Sequence, residues 1–216
     1  MPPAAWLSAS SAPPTVTLLL RHGQTQMSVE KRYAGTSDPP LNGVGLEQAA
    51  ATAKRLATAG LDAIVSSPLL RARATAAEVA ALCGLAVDVD EGFRETDFGA
   101  WEGLTFAEVR ERWPDALAAW LADPEAGPPG GESFLAAQQR VEAALARVLA
   151  AHAGQKVLIV SHVGPVKALV AAVLLAPPAA LFRMHLDLAA LSAIDWYPDG
   201  RGMLRSYNDT AHLSQP

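Results

Sequence analysis

Apolar residues follow two rhythms along this chain. Unbroken aliphatic runs, "VTLLL" at 16–20 and "KVLIVS" at 156–161, read as strands buried on both faces. "LDAIVSS" at 61–67 has the same character, and "LAVDVD" at 85–90 alternates like a strand with one wetted face. Between them the spacing turns helical at 44–59, 69–83 and 134–151, and again along "VKALVAAVLL". Gly60 and Gly84 stand where C-caps are needed, and Pro177–Pro178 ends the last of these helices. Residues 105–122 read as helical pieces broken at Pro114. Strands near 191–197 and 202–208 flank the turn "PDG". The stretches 24–43 and 123–133, rich in Gly, Pro, Asn and Asp, are loops, the second long enough to suspect a functional one.

Strands that alternate with helices predict an α/β fold: a three-layer sandwich with a mostly parallel central sheet flanked by helices. No internal repeat interrupts it. Residues 15–216 are expected to form a single domain, with the Ala/Ser/Pro-rich residues 1–14 as a flexible tail or linker. Open parallel sheets bind ligands beyond the carboxyl ends of their strands. That rule sorts the polar residues.

Arg21 and His22 follow the first strand directly. Ser66, Ser67 and Arg71 follow the second, while Arg94, Glu95 and Asp97 come after the alternating stretch. Ser161 and His162 follow "KVLIV". Taken singly each is weak: a lone histidine at a strand end is more often structural, and Arg73 reads as a solvated helix residue. Gathered on one sheet edge they form a compact cationic pocket suited to a tetrahedral oxyanion such as phosphate. A histidine nitrogen can attack phosphorus, arginines can offset charge on the equatorial oxygens, and an acid can protonate the leaving alcohol. Such chemistry needs neither metal nor cofactor. The chain carries no His-Glu-x-x-His, EF-hand, Walker A or Gly-x-Gly-x-x-Gly pattern.

Charge and composition narrow the partners. With 17 basic and 22 acidic residues among 216, the net charge of −5 offers no overall attraction to nucleic acid or anionic lipid. No apolar run has the ~20 residues that span a bilayer. One cysteine, Cys83, in an Ala-rich helical stretch, reads as a small buried hydrophobe and suits a cytoplasmic location. The expected partner is a small phosphorylated metabolite, taken by a monomer or homodimer.

The motifs resemble those of the histidine phosphatase superfamily, also called phosphoglycerate mutase-like. "LLLRHGQT" resembles its Arg-His-Gly signature, and "RYAGTSDPPLNGVGLEQA" and "SSPLLRARATA" resemble its next two segments. "FRETDFGAWEGLT", "PGGES" and "VLIVSHVGPVKAL" follow in the family's order. The resemblance implies His22 as nucleophile, with Arg21, Arg71 and His162 holding the phosphate and Glu95 donating the proton. It implies Gln24, Thr25, Ser28, Tyr33, Gly35 and Thr36 at the mouth, and Trp101 and Gly103 as shapers of the loop. Ser28 departs from the family's frequent Asn. Where mutases carry Glu-Arg-His-Tyr-Gly this chain has "ETDFG", which favours hydrolysis in the manner of an acid phosphatase or α-ribazole phosphatase. A cofactor-dependent phosphoglycerate mutase and a non-catalytic phospho-ligand module are the alternatives. Asp97 is a second acid that could share the task of Glu95. His152, His185 and His212 carry no signal. Some actinobacterial members of that branch follow a ribonuclease H domain, and the Ala/Ser/Pro start would suit such a fused upstream linker.

Overall fold

A computed structural model describes residues 12–213. Most of the expected tail, residues 1–11, lies outside the described residues. The elements, in chain order, are β1 (Thr15–Arg21), α1 (Gln26–Val29), α2 (Gly43–Leu56), β2 (Ala63–Ser66), α3 (Leu70–Cys83) and β3 (Val87–Val89). Then come α4 (Phe106–Arg112), α5 (Pro114–Ala122), α6 (Phe134–Ala151), β4 (Lys156–Ser161), α7 (Val163–Val173), β5 (Leu191–Trp196) and β6 (Gly202–Asp209).

The strands build one six-stranded sheet in the order β3-β2-β4-β1-β5-β6. The pairs β3/β2, β2/β4 and β4/β1 are parallel, whereas β5 runs antiparallel to β1, and β6 to β5. β5 and β6 are antiparallel because a tight turn joins them, closed by Tyr197 N–H to the Arg201 carbonyl with Gly200 at φ +84. β1 is sealed on both faces: Leu19 packs with α6 and α7, and Leu20 with α2 and α3. A third cluster, built on Trp101, Val109, Leu117 and Trp120, sits in the α4–α5 region.

Local chemistry explains where the elements stop. Asn42 caps α2 by accepting from Gly45 N–H at 2.9 Å, Ser133 caps α6, and Gly84 ends α3 in the left-handed conformation. Pro114 occupies the first turn of α5, where its missing N–H costs nothing. Two helices end earlier than their sequence signals: α2 stops at Leu56, short of Gly60, and α7 at Val173, short of Pro177. α1 falls inside a stretch read as loop. Thr25 and Ser28 form a capping box that nucleates its single turn.

Candidate active site

Strand register assembles the site. Arg21 on β1 pairs with Ser161 on β4, and Ser66 on β2 with Val160, so the three strands end level with one another. The residues that follow, His22, Ser67 and His162, therefore meet at one edge. The two imidazoles lie with ring centroids 5.0 Å apart. His22 is pinned at both backbone groups: its N–H donates to the Ser161 carbonyl, and its carbonyl accepts from Ala189 N–H.

The orientation of the His22 ring is decisive for its chemistry. Nδ1 lies 2.7 Å from the Gly23 carbonyl, an acceptor only, so Nδ1 carries the proton. Nε2 is left with its lone pair, and Arg71 Nε donates to it at 3.3 Å. Burial, then the charges of Arg21 and Arg71, push the imidazole well below its ordinary 6.5, so the ring is neutral at pH 7. His162 is held the same way by burial and by the neighbouring cations. Its Nε2 lies 2.6 Å from Ser67 Oγ, and its Nδ1 has no partner among the described residues.

Arg71 is only 1% exposed, an unusual place for a guanidinium. The loop after α1 makes it tolerable: Arg71 donates to the carbonyls of Ser37 at 2.9 Å and Ala34 at 2.7 Å. That loop is itself clamped by Glu102, which accepts from the N–H groups of Gly35 and Thr36 at 2.8 and 2.9 Å. Gly35 passes so close to the Thr96 carbonyl and Glu102 that a Cβ would collide with both. Arg21 donates to the Leu186 carbonyl at 2.6 Å, and its Nε is unpartnered among the described residues.

Glu95 is buried at the N-terminus of α7, where Thr96 N–H (2.8 Å) and Gly164 N–H (3.2 Å) donate to its carboxyl. Burial raises its pKa above the usual 4.5, against the opposing pull of those N–H groups and of Arg71. Gly164 is needed here, because a Cβ would press on Glu95 Oε1 and Thr96 Oγ1. From α6, Arg140 donates to the carbonyls of Gly92 and Arg94 at 2.8 and 3.0 Å and pairs with Glu132. It fixes the segment that carries Glu95.

These groups open into a cavity of about 420 Å³ lined by Arg21, His22, Arg71 and Glu95 at one end. Thr25, Ser28 and Tyr33 also line it. Gln24, Gly35 and Thr36, expected at the mouth, do not: the Gln24 side chain is spent on Asn42, and the other two hold the Arg71 loop. Asp97 faces a separate depression with Arg94 and Glu132 and accepts from Gly99 N–H, so it is turned away from the pocket. Trp101 is fully buried in the aromatic cluster. Arg73 is exposed. Lys167, Trp120, Phe134 and Phe182 were not anticipated and do line the cavity. Lys167 had a signal: it is the one charged residue in a helix otherwise apolar throughout. Among the described residues no three His, Cys, Asp or Glu side chains converge as metal ligands.

A family model for the histidine phosphatase superfamily (branch 1) matches residues 17–210. The chain belongs to the histidine phosphatase superfamily. Bifunctional protein Rv2228c of Mycobacterium tuberculosis is 48% identical over 209 residues, covering 96% of this chain and 57% of that protein. The chain thus spans little more than half of that relative's length. Phosphoserine phosphatase 1 of Hydrogenobacter thermophilus is 33% identical, with 92% of this chain and 94% of that protein covered. The α-ribazole phosphatase of Shigella flexneri superposes with a TM-score of 0.82 at 33% identity, covering 90% of this chain and 96% of that one. Among the described residues, no helix of this superfamily member is long and apolar enough to cross a membrane.

Proposed function

We propose that this chain is a phosphomonoesterase that hydrolyses small phosphorylated metabolites through a phosphohistidine intermediate, with residues 15–216 as its catalytic domain. The observation that carries the proposal is the His22 ring: Nδ1–H is anchored on the Gly23 carbonyl and the Nε2 lone pair stands beside Arg71 in a neutral imidazole. Names of relatives with phosphatase activity support the same reading.

In the first half-reaction His22 Nε2 attacks phosphorus and the P–O bond to the leaving group breaks. Arg21, Arg71 and His162 Nδ1–H hold the three equatorial oxygens, with the Ser67 hydroxyl donating to His162 Nε2. Glu95, whose burial raises its pKa above the usual carboxyl value, gives its proton to the departing oxygen. In the second, the Glu95 carboxylate takes a proton from water as that water attacks phosphorus. The P–N bond breaks, its electron pair returns to His22, and inorganic phosphate leaves. Each charge that develops meets a side chain already in place, so little reorganisation is needed at the moment of reaction.

Phosphate release from p-nitrophenyl phosphate, measured in EDTA, tests the reading. Wild type is expected to be active, and His22→Ala to lose about ten-thousand-fold or more in kcat. Acid-labile phosphate on the protein should be trapped in wild type alone. Full activity in His22→Ala overturns the assignment.

A further inference from the structure

The far end of the cavity has a character the reaction itself does not require. Beyond the phosphate groups its wall is aromatic: Tyr33, Phe98, Trp120, Phe134 and Phe182. The rings are mutually arranged, Tyr33 on Phe98 at 4.7 Å, Trp120 stacked on Phe134 at 4.5 Å, and Phe182 edge-on to both Trp120 and Phe134 at 5.7 and 5.3 Å. Phe182 remains 47% exposed although it packs on this wall. A phenyl ring left half in water at the rim of a cavity is apolar surface awaiting a cover.

Two of the cations near this end are already committed. Arg32 is shared among Glu30, Glu108 and the Gly103 carbonyl, and Lys167 donates to the Leu181 carbonyl. Lys31, at the cavity rim, is a single ammonium without the forked geometry that grips a carboxylate. A leaving group with its own carboxylate or second phosphate therefore finds only the Lys31 ammonium, whereas a flat apolar one finds several complementary rings. At about 420 Å³ the cavity holds far more than a phosphate and falls in the range of small-molecule sites.

Resting on the phosphatase reading, we propose that the aromatic wall selects phosphomonoesters whose alcohol carries a flat aromatic ring, over small polar acids and amino acids. The phosphate end binds any phosphomonoester alike; the rings add affinity only where the leaving group can lie on them.

Steady-state kinetics on 2-phenylethyl phosphate and propyl phosphate isolates the ring, because both esters release a simple alkoxide of similar reactivity. The expected kcat/KM ratio is at least about tenfold in favour of the phenyl ester, expressed mainly in KM. Phe182→Ala, at a half-exposed position, should bring that ratio near one, and Phe182→Tyr should restore it. A ratio near one in wild type, or a ratio unmoved by Phe182→Ala, overturns the proposal and leaves the rings as packing alone. His22-dependent turnover of propyl phosphate without ring preference would sink this inference and spare the phosphatase reading. If neither ester turns over, calorimetric binding of benzylphosphonate and ethylphosphonate decides: tighter benzylphosphonate binding supports the wall, and equal dissociation constants overturn it.

Discussion

The two ends of the cavity are built by opposite means. At the phosphate end the reacting groups are held by hydrogen bonds: His22 by Gly23 and Arg71, Arg71 by three loop residues, Glu95 by the start of α7. At the leaving-group end the contacts are ring against ring, and Phe182 is half in water. The contrast follows from what each end meets. A transferring phosphoryl group is the same in every substrate and its charge must be matched by fixed donors. Leaving groups differ, and apolar surfaces accept variation in outline at small cost.

Substitutions at the rigid end should therefore be costly, and for the phosphate-holding groups indifferent to the substrate. Glu95→Gln is expected to lower kcat about a thousandfold on alkyl esters, whose leaving oxygen needs a proton, and far less on p-nitrophenyl phosphate. The pH profile carries the sign. Glu95 must be protonated for the first step and its pKa is raised, so wild-type kcat falls as pH climbs through that value. His22 must be neutral and its pKa is depressed well below 6.5, so activity persists into acid. The alkaline limb is expected at higher pH than an ordinary carboxyl would give, and an unchanged alkaline limb in Glu95→Gln would remove that acid from the mechanism.

Arg71 and Arg73 sharpen the comparison within one helix. Arg71→Ala should cost about a hundredfold in kcat/KM for every phosphomonoester alike, as loss of one transition-state donor does elsewhere. Arg73 is exposed on the same helix, and Arg73→Ala should stay within twofold in activity and within about 0.5 kcal/mol in stability. Equal losses in the two variants would mean that general positive charge, not placement, does the work.

The smallest effect is on stability. His22 and His162 are 6% and 0% exposed, and both pKa values are depressed below 6.5 in the folded chain. Depressed histidines contribute stability that is present above the unfolded value and lost as pH falls below it. Glu95 acts in the other sense: its raised pKa favours the fold most below 4.5 and loses that benefit as pH rises through the folded value. With two histidines against one acid, Tm should drop by about 3 °C or more between pH 7 and pH 5. A flat thermal-denaturation series would show that these histidines titrate normally.

What was legible in the chain divides along the same line. His22 and His162 could be paired from sequence because each follows an aliphatic run directly, and parallel strands bring their carboxyl ends to one sheet edge. Gly84 marked its helix end by backbone chemistry that acts within a turn. The aromatic wall escaped notice because Tyr33, Trp120 and Phe182 lie far apart in the chain, on segments whose mutual placement no local spacing encodes. Arg140 was missed for another reason: its partners are mainly backbone carbonyls, which every residue possesses. Gln24 and Asp97 show the converse. They stand in motif positions, yet their side chains are turned elsewhere by Asn42 and by Gly99 N–H.

The position of β1 governs how a newly made chain can reach this state. It is synthesised first among the strands, yet it sits between β4 and β5, and its Thr17 hydroxyl donates to the Ile194 carbonyl 177 residues away. A chain that lacks β5 can pair β1 with β4 alone, so the other edge of the segment bearing the nucleophile waits unpaired until residues 191–196 are made. Completion of the hydrogen-bonded frame around His22 thus waits for β5, and a chain halted before it carries a strand with one edge ready to pair with whatever neighbour it meets.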